Sequence, residues 1–350
     1  MVDPLEAFIK FVESLIALQC ELARICITIP NLRQLLLLEV FPGFVTMSLL
    51  IFWAIWFERK LIAKVNLRYG PLHVGKYSGI GQVPADILKL TSKERIIPEG
   101  ADRFLYRFIP VFAFAIASVP IFLLPYGPNV YVTRFEASAL LALGVFTLHP
   151  LFLITIGWAA NNKFTLIGGI RQAYQTFSYE IPFLLSAASV FALSGSFDFI
   201  NIVEAQSNIW NIVLLPLGAI VFFISFAAEL ESKPFDVPTG ETEIVFGPQT
   251  EYTGIYFALI MGAQYTKLVL GSAIFALLFL GGYTFPIPIP VPSYFILLAK
   301  QVSVMALILF VRAIYPRIRI DQVIIFCWKY LTPLAIVNLL MAIGIKGLLL

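Results

Sequence analysis

The chain has 350 residues, of which 59% are hydrophobic and only 13% charged, against about 25% charged in a typical soluble domain. A mean hydropathy of +0.89 with a net charge of only +3 points to a chain that folds in lipid and argues against nucleic acid as a partner. Cys20, Cys26 and Cys327 are too scattered for a disulfide framework or a metal site, and His73 and His149 make no matched pair for a haem.

Residues 1–34 read as an amphipathic N-terminal helix. Leu5, Phe8, Ile9, Val12, Leu15 and Ile16 fall mostly at i, i+3, i+4 spacing with charges on another face, which suits a helix lying at the membrane interface or on a partner. Lys10, Glu13, Glu21 and Arg24 interrupt its apolar run, unlike a cleaved signal. Residues 35–350 form a single membrane domain, with no repeat and no internal boundary. A hydrocarbon core needs about 20 apolar residues per helix. Eight spans follow, at approximately 35–57, 108–124, 135–159, 177–193, 212–229, 252–280, 293–314 and 331–349. The fold class is therefore all-α, a polytopic membrane helix bundle of about eight transmembrane helices plus the N-terminal helix.

The loops differ in charge. Lysine and arginine concentrate after spans one, three, five and seven, with ten of them between Glu58 and Arg107, and the positive-inside rule places those odd-numbered loops on the cytoplasmic face of the cell membrane. The first of them runs through Glu58-Arg59-Lys60, Leu67-Arg68-Tyr69-Gly70-Pro71 and Gln82-Val83-Pro84-Ala85-Asp86-Ile87-Leu88-Lys89-Leu90. Residues 84–90 there predict a short helix with Asp86 and Lys89 close together. By itself this loop is a basic platform for lipid headgroups, a soluble partner or an amphiphile. Trp53 and Trp56 read as an interfacial aromatic anchor.

The fifth connection is the most informative. Between Phe226 and Tyr252 lie Glu229, Glu231, Asp236, Glu241, Glu243 and Glu251, with Lys233 the only lysine or arginine among them. An acidic or basic side chain at the centre of a spanning helix costs roughly 2.5–3.5 kcal/mol, so a chain that keeps such groups there uses them. Protons are the natural cargo of carboxylates that can be neutralised. Glu231 and Asp236 fit a solvated acidic loop, whereas Glu229 and Glu251, at the span ends, fit it poorly. Glu180 at the start of span four, and Lys267 and Lys300 inside spans six and seven, are further intramembrane charges; Lys300 reads either as a snorkelling side chain or as part of a polar internal path. His149, beside Pro150, reads as an interior residue at a kink.

In this order and spacing, several motifs resemble the quinone-site membrane subunit of respiratory complex I, the H subunit of the bacterial enzyme and the relative of mitochondrial subunit 1. They are Glu58-Arg59-Lys60, Leu67 to Pro71, Gln82 to Leu90, Gly157-Trp158-Ala159, Gln175 to Glu180, Ala228-Glu229 with Pro234-Phe235-Asp236, Glu251-Tyr252, and Tyr315-Pro316-Arg317-Ile318-Arg319-Ile320-Asp321-Gln322. The resemblance runs from about residue 40 to the C-terminus.

The resemblance implies a membrane subunit of a proton-translocating NADH-like:quinone oxidoreductase. Glu58, Arg59, Asp86, Arg317, Arg319 and Asp321 match positions at the quinone chamber. Glu180, Glu229, Glu241, Glu243 and Glu251 match the acidic path to the pumping arm, to which Lys267 and Lys300 are added. This chain would bind no cofactor. Quinone would be the substrate, an iron–sulfur cluster on a soluble partner subunit the electron source, and antiporter-like and small membrane subunits the neighbours in the bilayer. Three positions depart from the family pattern: Gln264 stands in place of a glutamate, Lys267 in place of a small polar residue, and Ile320 in place of an aromatic. Two other readings stand beside this one: the homologous membrane subunit of an energy-converting hydrogenase or other dehydrogenase, toward which Gly247-Pro248 leans, and a stand-alone secondary transporter, against which the lack of an internal repeat counts.

The charge count makes a topological prediction. A single cysteine introduced within residues 231–250 should react with an impermeant thiol reagent from the cytoplasmic side only. Reaction from the opposite side would reverse the orientation.

Overall fold

The computed structural model describes residues 43–75, 78–128, 130–238, 240–285 and 291–349. The expected amphipathic helix at 1–34 lies outside the described residues. Among the described residues the protein is helical, with no strand beyond one isolated bridge between Gly127 and Val130. The helices are α1 (Phe44–Val65), α2 (Gln82–Ser92), α3 (Arg103–Ser118), α4 (Ser138–Thr147), α5 (His149–Ala159), α6 (Lys163–Ser194), α7 (Phe199–Ala205), α8 (Asn211–Leu214), α9 (Pro216–Glu229), α10 (Glu241–Ile244), α11 (Gly254–Phe279), α12 (Ser293–Ile314), α13 (Ile320–Phe326) and α14 (Thr332–Leu349).

Among the described residues, six helical stretches are long and apolar enough to cross a membrane: Arg103–Phe122, Ser138–Ala159, Lys163–Ser194, Gly254–Phe279, Ser293–Ile314 and Ile320–Gly347. Together with the exposed Leu49, Phe104, Leu140, Trp158, Leu307 and Leu340, they define a membrane protein whose outer face is apolar because lipid covers it. The other two expected spans coincide with α1 and α9. Residues 35–42 of the first of them lie outside the described residues, and α1 ends in Glu58, Arg59, Lys60 and Lys64. α9 has 14 residues, a length of about 21 Å, short of the roughly 30 Å hydrocarbon core.

The departures from the expected spans have local causes. Span five breaks because Pro216 follows Leu215, and a residue before proline is driven out of the helical region; Leu215 sits at φ −127°, ψ 60°. The broken end is not left bare, since Asn338 of α14 accepts from the Gly218 amide at 3.0 Å. Span four begins earlier than expected, at Lys163, because Asn162 caps it by accepting from the Phe164 amide at 3.0 Å. The resulting 32-residue α6, about 48 Å long, extends beyond the bilayer and carries Arg171, Gln172 and Gln175 on a rigid helix. Span eight is preceded by α13 and a π-turn at Cys327–Leu331, which join it into one rod.

α11 is the central helix. Its C-terminal half, from Val269 to Phe279, is buried throughout, and Phe222, Phe226, Phe275 and Phe279 meet there in an aromatic cluster. Elsewhere small residues let backbones approach. A Cβ on Gly157 of α5 would lie 2.5 Å from the Thr165 carbonyl, and one on Gly168 of α6 would lie 2.7 Å from the Gly247 backbone. Gly157→Ala should therefore lower the thermal midpoint in detergent, by an overpacking cost of about 1–3 kcal/mol. Gly144→Ala, where nothing lies within 4 Å, should leave it unchanged. Equal midpoints for the two variants would contradict this packing.

Candidate functional site

The site begins where α1 ends. Glu58 is buried, 6% exposed, between α11 and α12: Tyr265 donates its hydroxyl to it at 2.9 Å and Arg312 pairs with it at 3.2 Å. The next residue, Arg59, turns outward and donates to Asp86 of α2 at 2.6 Å, while Gln82, one turn earlier on α2, donates to the same carboxylate at 3.0 Å. Partial burial pushes the Asp86 carboxyl up, but the hydrogen bonds from Arg59 and Gln82 outweigh it and hold it below the usual carboxylate range. The expected short helix and the expected trio Glu58, Arg59 and Asp86 are thus brought together, with Tyr265 and Arg312 as partners that sequence reasoning missed. The available signal for Arg312 was a lone arginine in the last turn of an apolar span.

From Tyr265 and Arg312 a cavity of about 230 Å³ leads inward, lined also by Asp236, Gln249, Gln264 and Glu231. Its inner wall holds the second cluster. Lys267 of α11 pairs with Glu229 at 2.8 Å, both side chains almost wholly buried, and its ammonium also donates to the Glu229 carbonyl at 2.9 Å. Gln264, one turn earlier, donates to Glu231 at 2.9 Å. Glu231 is not the solvated loop residue expected: it is 7% exposed. The loop folds back into the bundle because Gln175 of α6 donates to the carbonyls of Ala228 at 3.1 Å and Phe235 at 2.7 Å, and because Phe235 and Val237 pack on Tyr179. Burial drives the Glu231 carboxyl up to about 7, against the pull of Lys267.

A third group surrounds an open cleft of about 530 Å³ lined by Arg171, Glu243, Arg317, Arg319 and Asp321. Arg171 of α6 donates to Glu243, which holds that carboxyl below its ordinary range. Arg317 donates to the Val237 carbonyl at 2.5 Å. The expected chamber residues therefore fall into two sets, one at α1 and α2 and one at this cleft. Among the remaining candidates, Glu251 accepts from Asn162 at 2.6 Å, and Glu180 is half-buried on α6. The backbone of Glu241 opens α10. Lys300 stands apart: its ammonium donates to the carbonyls of Leu280, Gly282 and Thr284 at 2.6–2.9 Å and lies 4.5 Å from the centre of the Trp210 ring.

The fold is a membrane helix bundle with buried carboxylates, Glu58, Glu229 and Glu231, at and beside a polar cavity. The NADH dehydrogenase family matches residues 38–343. The H subunit of the NADH-quinone oxidoreductase of Geobacillus thermodenitrificans is 40% identical over 317 residues, covering 89% of this chain and 93% of its own. The H subunit of the F(420)H(2) dehydrogenase of Methanosarcina mazei is 40% identical over 308 residues, covering 83% and 88%. The corresponding NADH-quinone oxidoreductase chain of Carboxydothermus hydrogenoformans is 37% identical over 306 residues, covering 87% of each chain. The chain belongs to the NADH dehydrogenase family and is a membrane subunit of a complex I-like oxidoreductase.

The Glu231 carboxyl should be protonated below about pH 7 and ionised above it. Infrared spectra should then show a protonated-carboxyl band that fades as pH rises through about 7 and is weakened in Glu231→Gln. A band that titrates unchanged in the variant would show that Glu231 is not its source.

Proposed function

We propose that this chain forms the quinone chamber of a proton-translocating, complex I-like NADH:quinone oxidoreductase in the cell membrane and links that chamber to the pumping arm. The observation that carries the reading is the 230 Å³ cavity, which runs from Arg312 and Tyr265, beside Glu58, to Gln264 and Glu231, beside Glu229 and Lys267. Glu58, Arg59 and Asp86, at the end of α1 and on α2, and Arg317, Arg319 and Asp321, at the separate 530 Å³ cleft, are the polar groups offered to a quinone headgroup. Soluble iron–sulfur subunits of a peripheral arm, docked on the cytoplasmic odd-numbered loops, close the chamber, and a cluster on one of them supplies the electrons. On this reading the redox centres belong to the partner subunits.

Reducing a quinone to a quinol consumes protons as well as electrons, so the reaction changes the charge at the mouth of the cavity. Carboxylates in a confined, poorly solvated path respond to such a change because each one's protonation depends on its neighbours'. Glu229 and Lys267 are the innermost pair of that path. Glu180, Glu241, Glu243 and Glu251 extend it toward antiporter-like and small membrane subunits. Lys300 is better assigned to holding the C-terminal end of α11, where a cation satisfies carbonyls that have no partner in the helix. The relatives' names carry two electron donors, NADH and F(420)H(2), and a role at the quinone end serves either.

In membranes holding the assembled complex, Asp86→Asn and Arg59→Ala should each lower quinone reductase activity on the order of tenfold, about 1.4 kcal/mol of transition-state stabilisation. Electron flow to a hydrophilic acceptor upstream of the quinone should persist. Unchanged turnover with a short-chain quinone would remove both residues from the chamber.

A further inference from the structure

Among the described residues, two facing buried polar atoms have no hydrogen-bond partner: Oε1 of Glu231, which lines the cavity, and Nε2 of His149 behind it. Glu231 and His149 face each other at 3.8 Å, with side chains 3% and 5% exposed, and Gln172 of α6 flanks the same carboxylate. Leaving such a group unpaired in the interior is costly. Glu231 also holds a left-handed backbone at φ 53°, a conformation strained for a non-glycine residue. Costs of this kind concentrated on one residue mark a position kept for more than packing.

We propose that Glu231 and His149 form a proton-relay pair that holds one exchangeable proton and passes it from the cavity into the interior of the bundle. The two side chains belong to different compartments. Glu231 lines the 230 Å³ cavity. His149, at the first position of α5, lines a crevice of about 10 Å³ among Ala113, Ala117, Val145, Phe146 and Phe152, which Lys267 also borders; that is space for about one water molecule. The pair therefore spans the wall between them. In the transfer the Glu231 carboxyl O–H bond breaks and a bond from that proton to His149 Nε2 forms, leaving carboxylate and imidazolium. The net charge of the pair does not change, and the carboxylate and imidazolium formed 3.8 Å apart offset part of each other's desolvation as a buried ion pair.

The charges around the pair act in both directions, since the Lys267 ammonium stabilises the Glu231 carboxylate and opposes a charge on His149. Lys267, which faces both groups, is itself paired with Glu229. Asp236, Lys233 and Arg312 are the other charged groups lining the cavity. Gln264 holds the second oxygen of Glu231, so the first is the one turned to His149. Because burial raises Glu231 to about 7, its proton is present and exchangeable at neutral pH.

The chain contains only two histidines, and His73 is exposed, which makes a direct test simple. In the full-length chain in lipid, with nitrogen-15-labelled histidine, the His149 ring signals should change over the same pH range in which the Glu231 carboxyl band fades. That response should be lost in Glu231→Gln, whose amide can neither give up nor take a proton. A His149 signal that is flat in the wild-type protein, or that titrates identically in the variant, overturns the pair. A second arm rests on the function proposed above: in membranes holding the whole complex, His149→Gln should lower coupled quinone turnover on the order of a hundredfold and leave electron delivery to a hydrophilic acceptor unchanged. Undiminished coupled turnover overturns the relay role. The nuclear magnetic resonance arm needs no quinone and no partner subunit, so its outcome separates failure of the pair from failure of the quinone reading.

Discussion

The ion pair between Lys267 and Glu229, 2.8 Å long and almost wholly buried, is the contact around which the functional region is arranged. Removing either partner from such a pair leaves an uncompensated charge in the interior and costs about 3–5 kcal/mol. The pair ties the C-terminal end of α9 to the centre of α11. It thereby fixes where the loop after Glu229 re-enters the bundle, and that loop brings Glu231, Asp236 and Gln249 to the cavity wall. Ammonium at the end of α9 also satisfies a carbonyl that the helix leaves without a partner. One contact thus places the acidic path and closes a short helix.

The rest of the charge in the bundle follows the same constraint. Glu58 is held by Tyr265 and Arg312, Asp86 by Arg59 and Gln82, Glu243 by Arg171, and Glu251 by Asn162. Each of these carboxylates is matched by a donor from a different part of the bundle. Polar residues therefore cross-link helices that lipid, being as apolar as their surfaces, does not drive together. The remaining cohesion comes from close approaches at Gly157 and Gly168 and from the phenylalanine cluster around α11.

Much of this arrangement is legible in the sequence, and what is not has physical reasons. Span seven, expected at 293–314, is where α12 lies, because its hydrophobic run has clear ends. The short helix after Gly81 is legible in the first loop, where the sequence puts Asp86 near Lys89; its hydrogen bond to Arg59 is a tertiary contact that the local pattern does not encode. Span five reads as continuous because its apolar run is; the break at Pro216 turns on one residue, and its tolerance depends on Asn338, which lies 120 residues away. The burial of Glu231 escapes the sequence for the same kind of reason. A loop rich in carboxylates reads as solvated, and only the hydrogen bonds from Gln175 to Ala228 and Phe235 reveal that it folds inward. Lys267 and Glu229 are both recognisable from the sequence, because one falls within an apolar run and the other at the end of one. His149 and Arg312 acquire partners only through tertiary contacts that no local pattern encodes.

The central claim is that buried, mutually dependent charges connect the quinone end of the cavity to the interior, with Lys267 as the innermost cation. Lys267→Met tests it most directly, since methionine approaches lysine in length and carries no charge. In membranes with the complete complex, the account predicts assembly with a reduced ratio of protons moved per electron, because Glu229 loses the partner that sets its charge. An assembled variant that pumps at the wild-type ratio would contradict it.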